Sequence, residues 1–458
     1  MVQSSRDLET MLSDPKKALF HMAVPLFLAL LITNLQTFVD SLWCAGLGPD
    51  PLSAISMAAP VYRIIVSIGL AIGVGSSGAI ALSLGKNDKQ RADDIASQAI
   101  VVAILMSLIM IIVMVLCGRF LLTVSGDGYN TDLGMDYLQP FIICTIPLIV
   151  NGLVIGLVRS EGAAKKSMVI SMIASLSNII LDPIFIYYFG WGLEGAAWAT
   201  CLSVIISTLV GVSFYLRGKM FISPKLRHFR FRKDLLKDIS VVAIPFSVEA
   251  LLICLMIIPE NGIVAGCGGP EGLAIYVNAF NFVGIATIPA AGLASALIPL
   301  ISAQLGQRSA EKIKTTFRYS LTVVIIIGAV LGVLMFLFAP QLAGLYTYSE
   351  DMKALEEEMI QAIRIYSLTP IFMGIIRITS SMIQALRRAV VSTVLMFVRE
   401  IFFISFYYIA AQYSMVMIYW SVDLTNVIAA MLMLSIILII IRQLVRSKDF
   451  IDSDLDEN

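Results

Sequence analysis

The chain has 458 residues, 58% hydrophobic and only 14% charged, with 32 Lys plus Arg matched by 32 Asp plus Glu. Soluble domains carry about 25% charged residues, so this composition excludes a water-soluble fold, which would lack the polar surface to cover itself. A mean hydropathy of +0.89 points instead to a polytopic membrane protein, and the net charge of zero matters less than where the charges sit.

The first residues, MVQSSRDLETMLSDPKKALF, are polar and mixed in charge. They lack the basic-then-apolar order of a cleaved signal peptide and read as a cytosolic tail or surface helix. Stretches of about 20 apolar residues then recur roughly twelve times, centred at about 30, 70, 105, 148, 178, 205, 250, 288, 328, 371, 400 and 430. If the N-terminal side is called inside, the inside segments hold 26 of the 32 Lys and Arg, and the outside loops hold two, Arg119 and Lys353. Excess Lys and Arg marks the cytoplasmic face. The pattern predicts a multi-pass protein of the cell membrane with both termini cytoplasmic. The densest basic run, RGKMFISPKLRHFRFRKDLLK, reads as a linker lying near anionic lipid rather than as a nucleic-acid site. It divides the chain into an N-lobe of six spans over residues 1–216, a cytoplasmic linker over 217–237, a C-lobe of six spans over 238–441, and a tail over 442–458.

The two halves resemble each other. Pro25 precedes Asp40 by fifteen residues in PLFLALLITNLQTFVD, and Pro245 precedes Glu260 by fifteen in PFSVEALLICLMIIPE. LGPDPLSAI and LSLGKNDKQRADDI correspond to CGGPEGLAI and SAQLGQRSAEKI. Because each half has an even number of spans, both enter the membrane from the same side. The fold expected is therefore an all-α polytopic membrane protein, with twelve transmembrane helices in two six-helix lobes related by a pseudo-two-fold axis along the membrane normal.

Polar residues inside hydrocarbon are costly and mark candidate sites. On the fifth span Ser171, Ser175, Asn178 and Asp182 follow helical spacing, and Pro183 removes a backbone donor beside the carboxylate. On the first span Thr33, Gln36, Thr37 and Asp40 share a face. Each acid reads either as an ion-binding group or as a hydrogen-bonding clamp between helices. Thr200 and Ser203 add hydroxyls on the sixth span, a weaker sign because such groups commonly bond their own backbone. In the second half Glu249 and Glu260 lie on one face of the seventh span, with Arg377 on the tenth as a counter-ion, either a second site or a structural lock.

The stretch GVGSSG lies within an apolar span, so it is read as helix packing at Gly69, Gly73 and Ser77 rather than as a dinucleotide loop. No Walker lysine, HExxH or GxSxG pattern is present. Six cysteines without a CxxC pair read as small buried hydrophobes, and His21 and His228 suggest no metal cluster.

RSEGAAKKSMVISMIASLSNIILDPIFIYYFGWGLEGAAWAT, together with FVDSLWCAGLGPDPLSAISMAAP and the second span ending in SLGKNDKQ, resembles the MATE family, the multidrug and toxic compound extrusion transporters. The resemblance covers essentially the whole chain and is nearest the DinF-like and archaeal branch. It implies no enzyme and no cofactor. It implies a secondary antiporter that exports amphipathic, often cationic organic compounds in exchange for H+ or Na+ by rocking of two lobes, with bending at Pro25 and Pro183. Carried over, the cation site, for H+ or Na+, is Asp40, Asn178, Asp182 and Thr200. Glu249 matches the seventh-helix acid of NorM-like members, but the tenth span has Arg377 where they have an aspartate. Nothing demands more than a monomer. The rival readings are a lipid-linked precursor flippase of the same superfamily, for which Arg63 and Arg377 speak, and a membrane-embedded enzyme, for which the sole Asp93-Asp94 pair is poorly placed.

Overall fold

Backbone N–H and C=O groups in hydrocarbon find no water, so a span must close its hydrogen bonds internally. The described residues do so with helices throughout. The structure, a computed structural model, describes residues 2–125, 131–225, 227, 229–347 and 353–446; His228 and residues 447–458 of the tail lie outside the described residues. In chain order the helices are α1 (Val2–Leu12), α2 (Pro15–Ala45), α3 (Pro49–Gly85), α4 (Lys89–Ser125), α5 (Thr131–Ile143), α6 (Thr145–Ser160), α7 (Ala164–Pro183), α8 (Gly192–Leu216) and α9 (Lys233–Ala286). They continue with α10 (Ile288–Gly306), α11 (Ala310–Leu337), α12 (Ala339–Gly344), α13 (Glu356–Tyr366), α14 (Thr369–Ala385), α15 (Ala389–Ala410) and α16 (Met415–Val445).

Among the described residues ten helices are long and apolar enough to cross a membrane. Two bent pairs, α5 with α6 at 57° and α13 with α14 at 41°, raise the number to as many as 12. The loop expected between the seventh and eighth spans is instead a kink inside α9 at Gly269, whose φ of 64° is a conformation that glycine adopts without strain. Solvent-exposed apolar side chains such as Leu108, Ile112 and Leu116 follow helical spacing on α4, the pattern of a face that meets lipid. Cys117 is exposed on that helix, and Cys254 and Cys267 are partly exposed, so only Cys44, Cys144 and Cys201 are the buried hydrophobes that the sequence suggests.

The chain divides into two compact units, Met1–Ser247 with Ile298–Gln307 and Val248–Leu297 with Arg308–Asn458. In the first unit α3 and α6 cross with their backbones in contact. A Cβ on Gly69 would lie 2.7 Å from the Ile149 carbonyl oxygen, and one on Gly156 would lie 2.5 Å from the Gly73 Cα. GVGSSG is thus part of a helix seam. Polar side chains then fasten the neighbours: Asn151 donates at 3.0 Å to both Ser207 and Thr208 of α8, and the Ser207 hydroxyl donates to the Ile170 carbonyl of α7 at 2.9 Å. The second unit has an aromatic core in which Tyr276, Tyr366, Tyr407 and Tyr419 pack edge to face, with the Tyr276 and Tyr407 hydroxyls 2.8 Å apart. A trace of the repeat survives in the backbone: Asn87 (φ 60°) and Arg308 (φ 56°) each follow a glycine, Gly85 or Gly306, by two residues.

The N-terminal tail is a docked helix. Met11 is buried, and Asp7 lies 3.4 Å from the Lys166 Nζ. Asp14 then caps α2, accepting from the Lys16 and Lys17 N–H groups at 3.0 and 2.9 Å. The basic linker is strapped to the first unit through its backbone. Glu161 accepts from Phe221 N–H at 2.7 Å and Ile222 N–H at 3.0 Å, Asp93 from Ser223 N–H at 2.8 Å, and Ser97 from Lys225 N–H at 2.9 Å. Gln98 both donates to the Arg232 carbonyl and accepts from its N–H.

Burial pushes the Glu161 carboxyl up to about 7, against the two N–H donors that favour its ionised form. A folded-state value above the unfolded one means that the folded chain takes up a proton. Stability is therefore full below about 4.5 and declines as pH rises through about 7, by up to about 3 kcal/mol in all. The melting temperature of the purified protein should fall between pH 5 and pH 8, and that fall should shrink in Glu161→Gln. Equal pH dependence in the two proteins would refute this assignment.

Candidate functional site

Three helices of the first unit converge on one polar cluster. α7 carries Ser175, Asn178 and Asp182 on a buried face, as one side chain per helical turn requires. α7 ends at Pro183, which has no N–H to continue the α-helical ladder, and the chain passes into a π-helical turn over Ile184–Tyr188. That turn places Tyr187 so that its hydroxyl donates to the Trp43 carbonyl of α2 at 2.6 Å, with the two rings 6.0 Å apart. The end of α2 is held against the end of α7 in this way, and the polar faces of the two helices meet just below.

Asn178 is the hub. Its Nδ2 donates to Asp182 Oδ1 at 2.8 Å and reaches the Thr200 hydroxyl of α8 at 3.4 Å, while its Oδ1 accepts from Gln36 Nε2 of α2 in a short hydrogen bond. Gln36 also donates to Asp40 Oδ2 at 3.2 Å, one turn along α2. Thr33 and Ser175 pair at 3.3 Å, one turn further from the acids. The Asp40 and Asp182 carboxyls are close enough to share a hydrogen bond when one carries a proton. Asp40 Oδ1 is buried without a hydrogen-bond partner. Two carboxylates in an apolar surround repel unless a proton or cation lies between them. The two carboxylates supply the acceptors for such a charge, while the Gln36 and Asn178 amides hold them in place by donating to them.

The structure thus brings Asp40, Asn178, Asp182 and Thr200 into one hydrogen-bonded group, joined by Gln36. Thr200 also donates to its own helix at Ala196. Pro25 is buried within α2, five residues beyond the exposed Phe20 and far from the acids along the helix.

The second-unit residues fall into a wider network. Glu249 Oε2 accepts from Gln384 Nε2 of α14 at 3.1 Å, and Gln384 also donates to Ser380. Arg377 of α14 has an exposed side chain and lies within the fields of Arg399 and Glu249. Glu260 instead feels Glu400 and Arg399. Arg399 is the cation within reach of both acids; it pairs with Glu400 at 2.5 Å and donates to Asn426 at 3.1 Å. Sequence reasoning did not single out Arg399, Glu400 or Asp423 of α16. Asp423 had a legible signal, since an acid within IYWSVDLTNVIAA is as exceptional as Asp182.

The MatE family model matches this chain twice, over residues 25–184 and 245–409, and each match opens on a proline, Pro25 and Pro245. Multidrug export protein MepA of Staphylococcus saprophyticus is 23% identical over 419 residues, covering 91% of this chain and 92% of MepA. A crystal structure of a MATE protein in complex with MaL6 is similar at a TM-score of 0.93 and 28% identity, covering 96% of this chain and 99% of that one. A MOP superfamily transporter from Pyrococcus furiosus, described as having a binding pocket of reverse polarity, is similar at a TM-score of 0.92 and 28% identity, over 96% and 99% of the two chains. These relatives are transporters, not enzymes, and two matches that together span most of an all-α polytopic chain leave no ambiguity: the protein belongs to the MatE family of membrane transporters.

Proposed function

We propose that this protein is a secondary antiporter of the cell membrane that exports small amphipathic, cationic organic compounds in exchange for H+ or Na+. The observation that carries this reading is the pairing of Asp40 with Asp182 from separate helices, with Asp40 Oδ1 buried and unpartnered. Asn178 and Thr200 complete the ion site. The chain works as a monomer with both termini cytoplasmic, and its lobes comprise residues 1–216 and 238–441, joined by the basic linker 217–237. Binding of the ion neutralises the acids, α2 bends at Pro25 and the end of α7 at Pro183, the substrate leaves, and the lobes rock. An ion drives such a cycle only by binding the two states with different affinity. Glu249, Glu260 and Arg377 then act in the second lobe on substrate charge.

Arg377, a cation within a membrane-spanning helix whose side chain is exposed, favours a second reading, a flippase for a lipid-linked anionic precursor. Liposomes loaded with a fluorescent organic cation and given a pH or a sodium gradient separate the two. The antiporter reading expects transport under one gradient, reduced about 100-fold or more by Asp182→Asn, the scale of loss when one member of a unit is removed. Full export by Asp182→Asn sinks the ion site. Absence of cation transport combined with lipid translocation that fails in Arg377→Gln establishes the flippase.

A further inference from the structure

We infer that the second unit binds the headgroup of a zwitterionic phospholipid carrying a primary ammonium, as in phosphatidylethanolamine, in a groove between the end of α11, α13 and the start of α16. The proposal does not depend on the antiport reading and uses none of the residues in the network of Glu249, Arg377 and Arg399.

A helix longer than the hydrocarbon layer carries its end turns to the depth of the headgroups. That layer is about 30 Å thick, and α16, with 31 residues, is about 46 Å long at 1.5 Å per residue. Trp420 lies in the second turn of α16 and Phe336 in the last turn of α11. Both rings are half-exposed, as aromatic side chains at a membrane boundary are. Between them and α13 lies a cavity of about 510 Å³, floored in part by Ile360 and of a size that takes a small-molecule headgroup.

α13 turns Glu357, Gln361 and Arg364 to this cavity, and all three are exposed. Spacings of four and three residues place them on one helix face. Glu357 and Arg364 are thereby two turns apart, about 10 Å along the axis, with the Gln361 amide between. The Arg364 guanidinium lies over the Phe336 ring, 5.5 Å from its centroid, which holds the charge at the groove. Among the described residues Arg364 forms no ion pair, and the Glu357 carboxylate, the Gln361 amide and the Trp420 indole N–H have no hydrogen-bond partner.

An anion, an amide, a cation and an indole donor thus face one cavity with their bonding capacity unused. A phosphodiester accepts charge-assisted hydrogen bonds from Arg364 and a further one from Trp420, while an ammonium two turns away donates to Glu357. Gln361 donates to the one and accepts from the other. Glu356 and Glu358 flank Glu357 in the first turn of α13, so the acids here outnumber Arg364. That balance repels a headgroup carrying phosphate charge alone and favours one with an ammonium. A quaternary choline has no N–H to give Glu357 or Gln361, which selects the primary amine. The acyl chains also have a place to lie: Val333, Val330 and Ile326 precede Phe336 on α11 at helical spacing and are more than half exposed.

The test uses the purified full-length protein, washed free of lipid in detergent and titrated with phosphatidylethanolamine, phosphatidylcholine or phosphatidylglycerol in mixed micelles while its melting temperature is followed. Phosphatidylethanolamine should raise it by about 3 °C or more at saturation, and the other two by half of that or less. Glu357→Gln and Arg364→Gln should each require about tenfold more phosphatidylethanolamine for the same shift, the scale of losing one charge-assisted hydrogen bond. Both residues are exposed, so these variants should melt with the parent before lipid is added. Arg119→Gln, which removes an exposed arginine of the first unit, should leave the titration unchanged. Equal shifts with all three lipids overturn the site. So does a phosphatidylethanolamine titration that neither Glu357→Gln nor Arg364→Gln moves, or one that Arg119→Gln moves as far.

Discussion

Gly156→Ala should reduce the yield of folded protein sharply, whereas Gly78→Ala should remain close to the unaltered protein. A Cβ at 156 would sit 2.5 Å from both the Gly73 Cα and its carbonyl carbon, and these are backbone atoms of a second helix that cannot step aside. Relief requires α3 and α6 to separate. That would also move Gly69 away from Ile149 and unseat Asn151, the anchor for α8. Overpacking a well-filled helix contact costs about 1–3 kcal/mol where side chains can adjust, and more where the backbone must move. At Gly78 the first atom met would be the Ser302 Oγ at 3.3 Å, the end of a small side chain that can rotate. Size-exclusion profiles and melting temperatures in detergent compare the two variants. A Gly156→Ala protein that melts with the parent would show that the seam is looser than these distances state.

The glycine seam illustrates what sequence makes legible in this protein. Spacing of four residues along α3 reveals that Gly69 and Gly73 share a face, because 3.6 residues per turn fixes that geometry within any one helix. Nothing in the spacing reveals that Gly152 and Gly156 of α6 are the surfaces met. The candidate site divides in the same way. Asn178 and Asp182 are legible together from their separation along α7, and Gln36 and Asp40 from theirs along α2. The bond from Gln36 to Asn178 spans 142 positions and is decided by how α2 and α7 cross. In the second unit, Glu249 and Glu260 are legible together on one helix, but the cation within reach of both is Arg399 of α15, whereas Arg377 on α14 acts on Glu249 alone. Pro183 marked an interruption, yet only the structure discloses that it takes the form of a π-helical turn that aims Tyr187 at α2.

Because Asn178, Gln36 and the two acids form one bonded group, their replacements should not add. Asp40→Asn and Asp182→Asn should each reduce gradient-driven export about 100-fold or more, and the double variant should be no worse than either alone, as for residues that act as a unit. The physical reason lies in the shared charge. Either carboxyl alone, beside the Asn178 amide, lacks the second acid that distinguishes an occupied cluster from an empty one. If the proposed antiport holds, losing the first acid already removes the difference in affinity that would couple ion to substrate. Thr200→Ala should cost much less, about tenfold or below, because its hydroxyl is also bonded within α8 at 3.1 Å and stands at 3.4 Å from Asn178. Initial rates in proteoliposomes, normalised to inserted protein, measure all four variants. If the losses from Asp40→Asn and Asp182→Asn multiply in the double variant, the two acids serve separate steps, and the single ion site drawn between α2, α7 and α8 is wrong.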